Sequence, residues 1–112
     1  MGPMSEPILT ATVSSGTVWN DPSEDLLFEL LSDIEAGREE FVVVNRCGHQ
    51  GTYAQAVLLE DGSYLMEYRA GSADTHFAAT SRDKRTIHAA MTGWAFELEG
   101  WTALLDWRPA AL

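Results

Sequence analysis

Between Phe41 and Thr80 the chain holds four short runs rich in β-branched and aromatic residues, and a glycine-containing turn follows each of the first three. "FVVVNR" precedes "CGHQG", "TYAQAVLL" precedes "EDG", "SYLMEYR" precedes "AGSAD", and "THFAAT" closes the series. Runs of this length bounded by such turns are strand and hairpin signals. Strands joined in succession by turns pair antiparallel, because a parallel neighbour needs a crossover of about a dozen residues or more. "FVVVNR" is continuously apolar over its first four residues, which suits a central strand buried on both faces or nearly so.

Two amphipathic segments flank this meander. "WNDPSEDLLFELLSDIEAG" reads as a helix, with Asp21 as N-cap, Pro22 at the first helical position, Glu24 three residues after the cap and Gly37 at the stop. Leu27, Leu30, Leu31 and Ile34 form its apolar stripe, with Leu26 at the edge, and Asp25, Glu29 and Asp33 form an acidic ridge opposite. Like charges at this spacing cost a helix about 0.2–0.5 kcal/mol per pair, a penalty that a binding surface could justify and a solvated face could equally tolerate. A second helix is expected from about Asp83 to Leu98, capped by Ser81 or Thr80, with Ile87, Met91, Trp94 and Leu98 on its buried stripe. Gly93 weakens it by about 1 kcal/mol relative to alanine and permits close packing against the sheet.

"ILTATVS", from Ile8 to Ser14, supplies a first strand; "WTALLDW" supplies a last one, ended by Pro109. The expected architecture is a single α+β domain over residues 1–112, in the order β-α-β-β-β-β-α-β. Its sheet is mostly antiparallel, with about five to six strands and both helices on one face. Residues 1–7 read as a flexible N-terminus, and "MGP" before Met4 as a cloning remnant.

Seventeen acidic residues against seven basic ones give the 112-residue chain a net charge of −10. That field repels nucleic acid and anionic membranes and favours a basic protein partner, although acidity also serves solubility. No apolar run approaches the roughly 18 residues of a membrane span, and no secretory signal pattern opens the chain. Cys47 is the single cysteine and has no internal disulfide partner, which agrees with a reducing compartment and a cytoplasmic location.

Candidate chemistry is sparse. Cys47 and His49 sit two apart in a glycine turn, a spacing that argues against a thiolate pair. With His76 and His88 they match no recognised zinc pattern, and Gly48 and Gly51 flank no phosphate-binding loop, so neither metal nor cofactor is expected. In "LMEYRAGSADTHF", alternation puts Leu65, Glu67 and Arg69 on one face and Tyr64, Met66 and Tyr68 on the other, the second being the expected core face. Glu67, Arg69 and His76 are a conceivable catalytic trio, with Glu67 as base and Arg69 as anion clamp; the alternative is an outward sheet face for solvent or a partner. The register that would place His76 is not fixed by the loop.

"GTYAQAVLL", "GSYLMEYRAGSADTHFAA" and the closing tryptophan segment, behind an acidic N-terminal helix, resemble the Imm1 family of immunity proteins from bacterial polymorphic toxin systems. The resemblance runs from about Trp19 to Trp107, on a pattern of short strands rather than a catalytic fingerprint, and its matching positions are Gln55, Glu67, Tyr68, Arg69 and Trp107. It implies an α+β fold without enzymatic activity that blocks a cognate toxin, often a nucleic-acid deaminase; the chain itself is expected to be a monomer or weak dimer. Candidate toxin-binding residues are then the acids Asp25, Glu29, Asp33, Glu39, Glu40 and Glu67, the aromatics Trp19, Tyr53 and Trp101, and Gln55 and Arg69. Each tryptophan has core packing as its alternative, and Trp94 is assigned to the core. The competing functional classes are a small enzyme using Cys47 and His49 or Glu67 and His76, and a general adaptor or homodimeric module.

Overall fold

In the computed structural model, which describes residues 6–110, the chain runs β1 (Leu9–Val13), β2 (Val18–Asn20), α1 (Glu24–Glu35), β3 (Phe41–Arg46), β4 (Thr52–Leu58) and β5 (Tyr64–Ala70). It continues through β6 (His76–Ser81), α2 (Lys84–Ala95), a 3-10 turn (Trp101–Leu104) and β7 (Arg108–Pro109). The cloning-remnant reading falls on residues outside those described. All seven strands join one antiparallel sheet in the order β2-β1-β3-β4-β5-β6-β7. The fold is α+β, as the succession of turn-linked strands predicts.

Alternation along the strands builds the core. Leu9, Ala11, Val13, Val42, Val44, Ala54, Ala56, Tyr64 and Met66 are buried on one face of the sheet, where Leu27, Leu30, Leu31 and Ile34 of α1 meet Ile87, Ala90, Met91 and Trp94 of α2. Burying a side chain of this size contributes about 1.5–3 kcal/mol. Both helices therefore lie on the same side, and among the described residues the other side of the sheet carries no helix. Phe41 and Val43 of β3 consequently stay half-buried rather than enclosed on both faces.

Four local readings change. Ser23, not Asp21, caps α1: its hydroxyl accepts from the Leu26 amide at 3.1 Å. The Asp21 carboxylate is occupied elsewhere, accepting from the Ile8 and Leu9 amides at 2.9 and 3.1 Å, with its backbone turned to a φ of 47°. Residues 18–20, read as a lead-in to the helix, instead form β2, which hairpins onto β1. Asp83, not Ser81 or Thr80, caps α2, accepting from the Arg85 amide and the Thr86 hydroxyl. That helix ends at Ala95, so Leu98 is exposed rather than part of the stripe.

The last strand expected at "WTALLDW" does not form: Trp101–Leu104 is the 3-10 turn and residues 105–107 are irregular. Gly100, at a φ of 86°, reverses the chain, and Trp101 folds back onto α2 so closely that a Cβ on Gly93 would lie 2.2 Å from its own Cβ. Gly93 thus admits Trp101 rather than the sheet. Trp101 and Trp107 stand edge-on to Tyr68 at 5.0 and 4.8 Å between ring centroids, holding the returning segment against the core. Only Arg108 and Pro109 reach the sheet, at its edge, where a proline is tolerated. Arg46 secures the other side of α2, donating to the Trp94 carbonyl at 2.8 Å with its guanidinium 4.6 Å from that indole.

Two predictions follow from this packing. Gly93→Ala should destabilise by about 1–3 kcal/mol through overpacking, measured by urea unfolding, and by less in a Trp101→Gly background, where the opposing Cβ is gone. Equal costs in both backgrounds would contradict the contact. Tyr64 donates to the Leu31 carbonyl and to Glu35 at 3.3 and 3.0 Å, and burial foremost, then the Glu35 bond, pushes its phenol well above the usual value of 10. A raised phenol pKa means the folded state holds the proton more tightly, so the contribution is complete below about pH 10 and is lost as pH rises. Melting temperature should therefore fall more steeply above about pH 10 in the native protein than in Tyr64→Phe, with the half-buried Tyr68, whose phenol is also raised by burial, keeping some slope in both.

Candidate functional site on the open sheet face

The face without helices is ordered in rungs by the strand register. One rung runs Asn20, Thr10, Asn45, Tyr53, Arg69, His76 across six strands. The next runs Thr12, Val43, Gln55, Glu67, Ala78 and Arg108. Directly opposed residues stand about 4.5–5.5 Å apart at Cβ, so Tyr53, Gln55, Glu67, Arg69 and His76 form one continuous polar patch at the centre of the sheet.

Within it, His76 Nε2 donates to Glu67 Oε2 at 2.7 Å, a diagonal contact across β5 and β6. The Tyr53 ring approaches His76 edge-on at 6.0 Å, with Arg69 between them in register. This enclosure leaves His76 only 4% exposed although it points away from the helices. Two of the patch's nitrogens are buried without a hydrogen-bond partner among the described residues: Arg69 Nε and His76 Nδ1. Alternation alone separates Glu67 and Arg69 from Tyr64, Met66 and Tyr68; the position of His76 needed the hairpin register as well.

The remaining candidates lie elsewhere. Trp19 pairs with Ala11 and packs against the core, as does Trp101. Asp25 and Glu29 are exposed on α1, on the helix layer behind the sheet, and Asp33 is held by Arg38 at 2.9 Å. Glu39 accepts from the Ser14 hydroxyl and the Ser15 amide, both at 3.0 Å, and these bonds, those of Ser15 foremost, hold its carboxyl below the usual range. Glu40 is exposed beside it, its amide donating to Ser14. The acidic charge is thus spread over the helix layer and the turns, whereas Glu67 is the one carboxylate that the strand rungs carry on the open face.

Neither chemical alternative at Cys47 is assembled. His49 Nδ1 donates to the Cys47 carbonyl at 3.2 Å rather than meeting its thiol. His88 donates to the Glu24 carbonyl at 2.8 Å and stacks edge-on with Phe28 at 5.1 Å, which ties α2 to α1. Among the described residues no group of three or more His, Cys, Asp or Glu side chains is placed to hold a metal ion, and no helix is long and apolar enough to cross a membrane. A scan against protein-family models and searches of curated proteins and of solved structures return no match.

Glu67→Ala removes the acceptor of a buried N–H and should destabilise by about 1–3 kcal/mol in urea titrations, while Glu67→Gln, which keeps an acceptor, should cost less than half as much. Equal losses for the two variants would show that the contact with His76 is not what Glu67 contributes.

Proposed function

We propose that this protein is a non-catalytic immunity protein that binds and occludes a cognate toxin domain with a basic active-site surface, most simply a nucleic-acid-acting toxin such as a deaminase. The observation that carries this reading is how the resemblance positions sort in space. Gln55, Glu67 and Arg69 lie side by side on the open face, while Tyr68 and Trp107 pack against each other beneath it at 4.8 Å. The pattern therefore joins an outward polar patch to the aromatic support of the same strand.

Charge supports the same reading. A toxin acting on nucleic acid presents a basic surface to phosphate, and a net of −10 on the inhibitor accelerates encounter with it from a distance. Durable inhibition needs a packed and specific contact as well. The open face offers one: a strand-paired surface lined by Tyr53, Gln55 and Arg69. Action inside the producing cell, on toxin not yet exported, fits a cytoplasmic location.

A Glu67–His76 general base is the second reading, favoured by their 2.7 Å contact. Against it, the imidazole is sealed from solvent, and Nδ1, where a nucleophile's proton would be taken, meets no hydrogen-bond partner among the described residues.

The test is the toxin domain that such a system encodes beside its immunity gene. Mixed with excess protein it should form a one-to-one complex by light scattering and lose its activity, and the association rate should fall about tenfold or more as salt is raised to about 1 M. A toxin domain that stays active and unbound in excess protein overturns the reading.

A further inference from the structure

Five of the seven basic side chains, Arg38, Arg46, Arg82, Lys84 and Arg108, lie 2.9–3.9 Å from a carboxylate, as expected in a chain with seventeen acids. Arg85 and Arg69 do not, among the described residues. Arg85 is exposed in the first turn of α2, where water satisfies it. Arg69 is different: it is half-buried at the centre of the open face, and its Nε is out of solvent without an acceptor. The nearest carboxylate along its strand, Glu67, is engaged by His76. The two terminal nitrogens of Arg69 are not among the buried unpartnered atoms and have no carboxylate within 4.0 Å among the described residues, so they are the ones a planar oxyanion docked on this face can take.

We infer that the Arg69 guanidinium, in register with Tyr53 and His76 on the open face, is a carboxylate-recognition site for an aspartate or glutamate of a protein partner docked there. Three features select this occupant. Glu67 beside the guanidinium disfavours a dianion, and the net charge of the chain disfavours a polyphosphate. A single carboxylate meets neither obstacle to the same degree. Next to the rung, Leu65, Ala78, Thr80, Asp106, Arg108 and Pro109 line a shallow groove of about 440 Å³ between β5, β6 and β7, of mixed character, in which a side chain flanking the acid can lie along Leu65, Ala78 and Pro109. A protein segment supplies both groups at once.

The identity of the partner rests on the inhibitor reading, in which it is the toxin domain. The two are compatible: an enzyme that works on nucleic acid combines a basic surface with carboxylates that carry its proton transfers, as in the base deaminases. Acids spread over the helix layer and turns would meet the basic rim, and Arg69 a carboxylate within it.

Two arms separate the site from the identity of its partner. In the first, the 15N-labelled protein alone is titrated with sodium acetate and, at matched ionic strength, with sodium chloride. The Arg69 Nε–H resonance should move saturably with acetate and several-fold less with chloride, while that of Arg85 responds alike to both. An Arg69 response that is the same in the two salts overturns the proposal. In the second, Arg69→Met, which keeps the apolar stem, should weaken binding to the toxin domain by about tenfold or more, and Arg85→Gln by less than about twofold. A toxin domain that binds Arg69→Met as tightly as the native protein overturns the proposal and leaves the inhibitor reading standing. Failure of the native protein to bind the toxin domain, with the acetate response intact, overturns the inhibitor reading and supports the site.

Discussion

Everything else in this fold depends on both helices covering one side of the sheet. Ala54 and Ala56 at the centre of β4 are fully buried beneath them, and Tyr64 and Met66 repeat the alternation on β5. Because side chains change face at every residue, fixing these four inward fixes Tyr53, Gln55, Glu67 and Arg69 outward. A slip of one residue would bury a glutamate and an arginine under α1 and α2 and expose the core, so the hydrophobic layer itself enforces the register that assembles the polar patch. Hydrogen bonding then completes it, as Glu67 engages His76 and Arg69 is left without a carboxylate partner among the described residues.

The aromatic residues serve the patch from below. Tyr68 lies between Glu67 and Arg69 in sequence and points to the opposite side, where Phe77, Trp101 and Trp107 surround it at 4.8–5.4 Å. This cluster closes the end of the sheet that α2 does not reach. It depends on Gly93, whose missing side chain admits Trp101. The strand that presents Glu67 and Arg69 is thereby clamped on its inner face, and a clamped strand holds a contact surface without the ordering cost that a loop would incur on binding.

Much of this was legible in the sequence because period-two alternation and glycine turns are local signals. They give the meander, the α+β class, the two helices and the split of β5 into inner and outer residues. The misread elements are those settled by distant partners. Asp21 and Ser23 are both good caps, and only the amides of Ile8 and Leu9, which claim the Asp21 carboxylate, decide between them. "WTALLDW" has strand composition, yet Trp101 finds more to pack against on α2 than an extended segment would at the sheet edge. Trp19 and Trp101, candidate anchors by type, face the core for the same reason. His76 escaped assignment because its face follows from the β5–β6 register, which the Ala70–Thr75 loop does not encode.

In the proposed inhibitor, acids on the helix layer and turns carry long-range attraction, and the helix-free face of the sheet carries recognition. Chemical-shift mapping of the labelled protein in complex with the toxin domain tests that separation most directly. The side-chain resonances of Tyr53, Gln55 and Arg69 should shift most, with those around Ala78, and Asp25 and Glu29 on α1 should move little. Large shifts along the α1 ridge with the Tyr53 and Arg69 signals unmoved would contradict it.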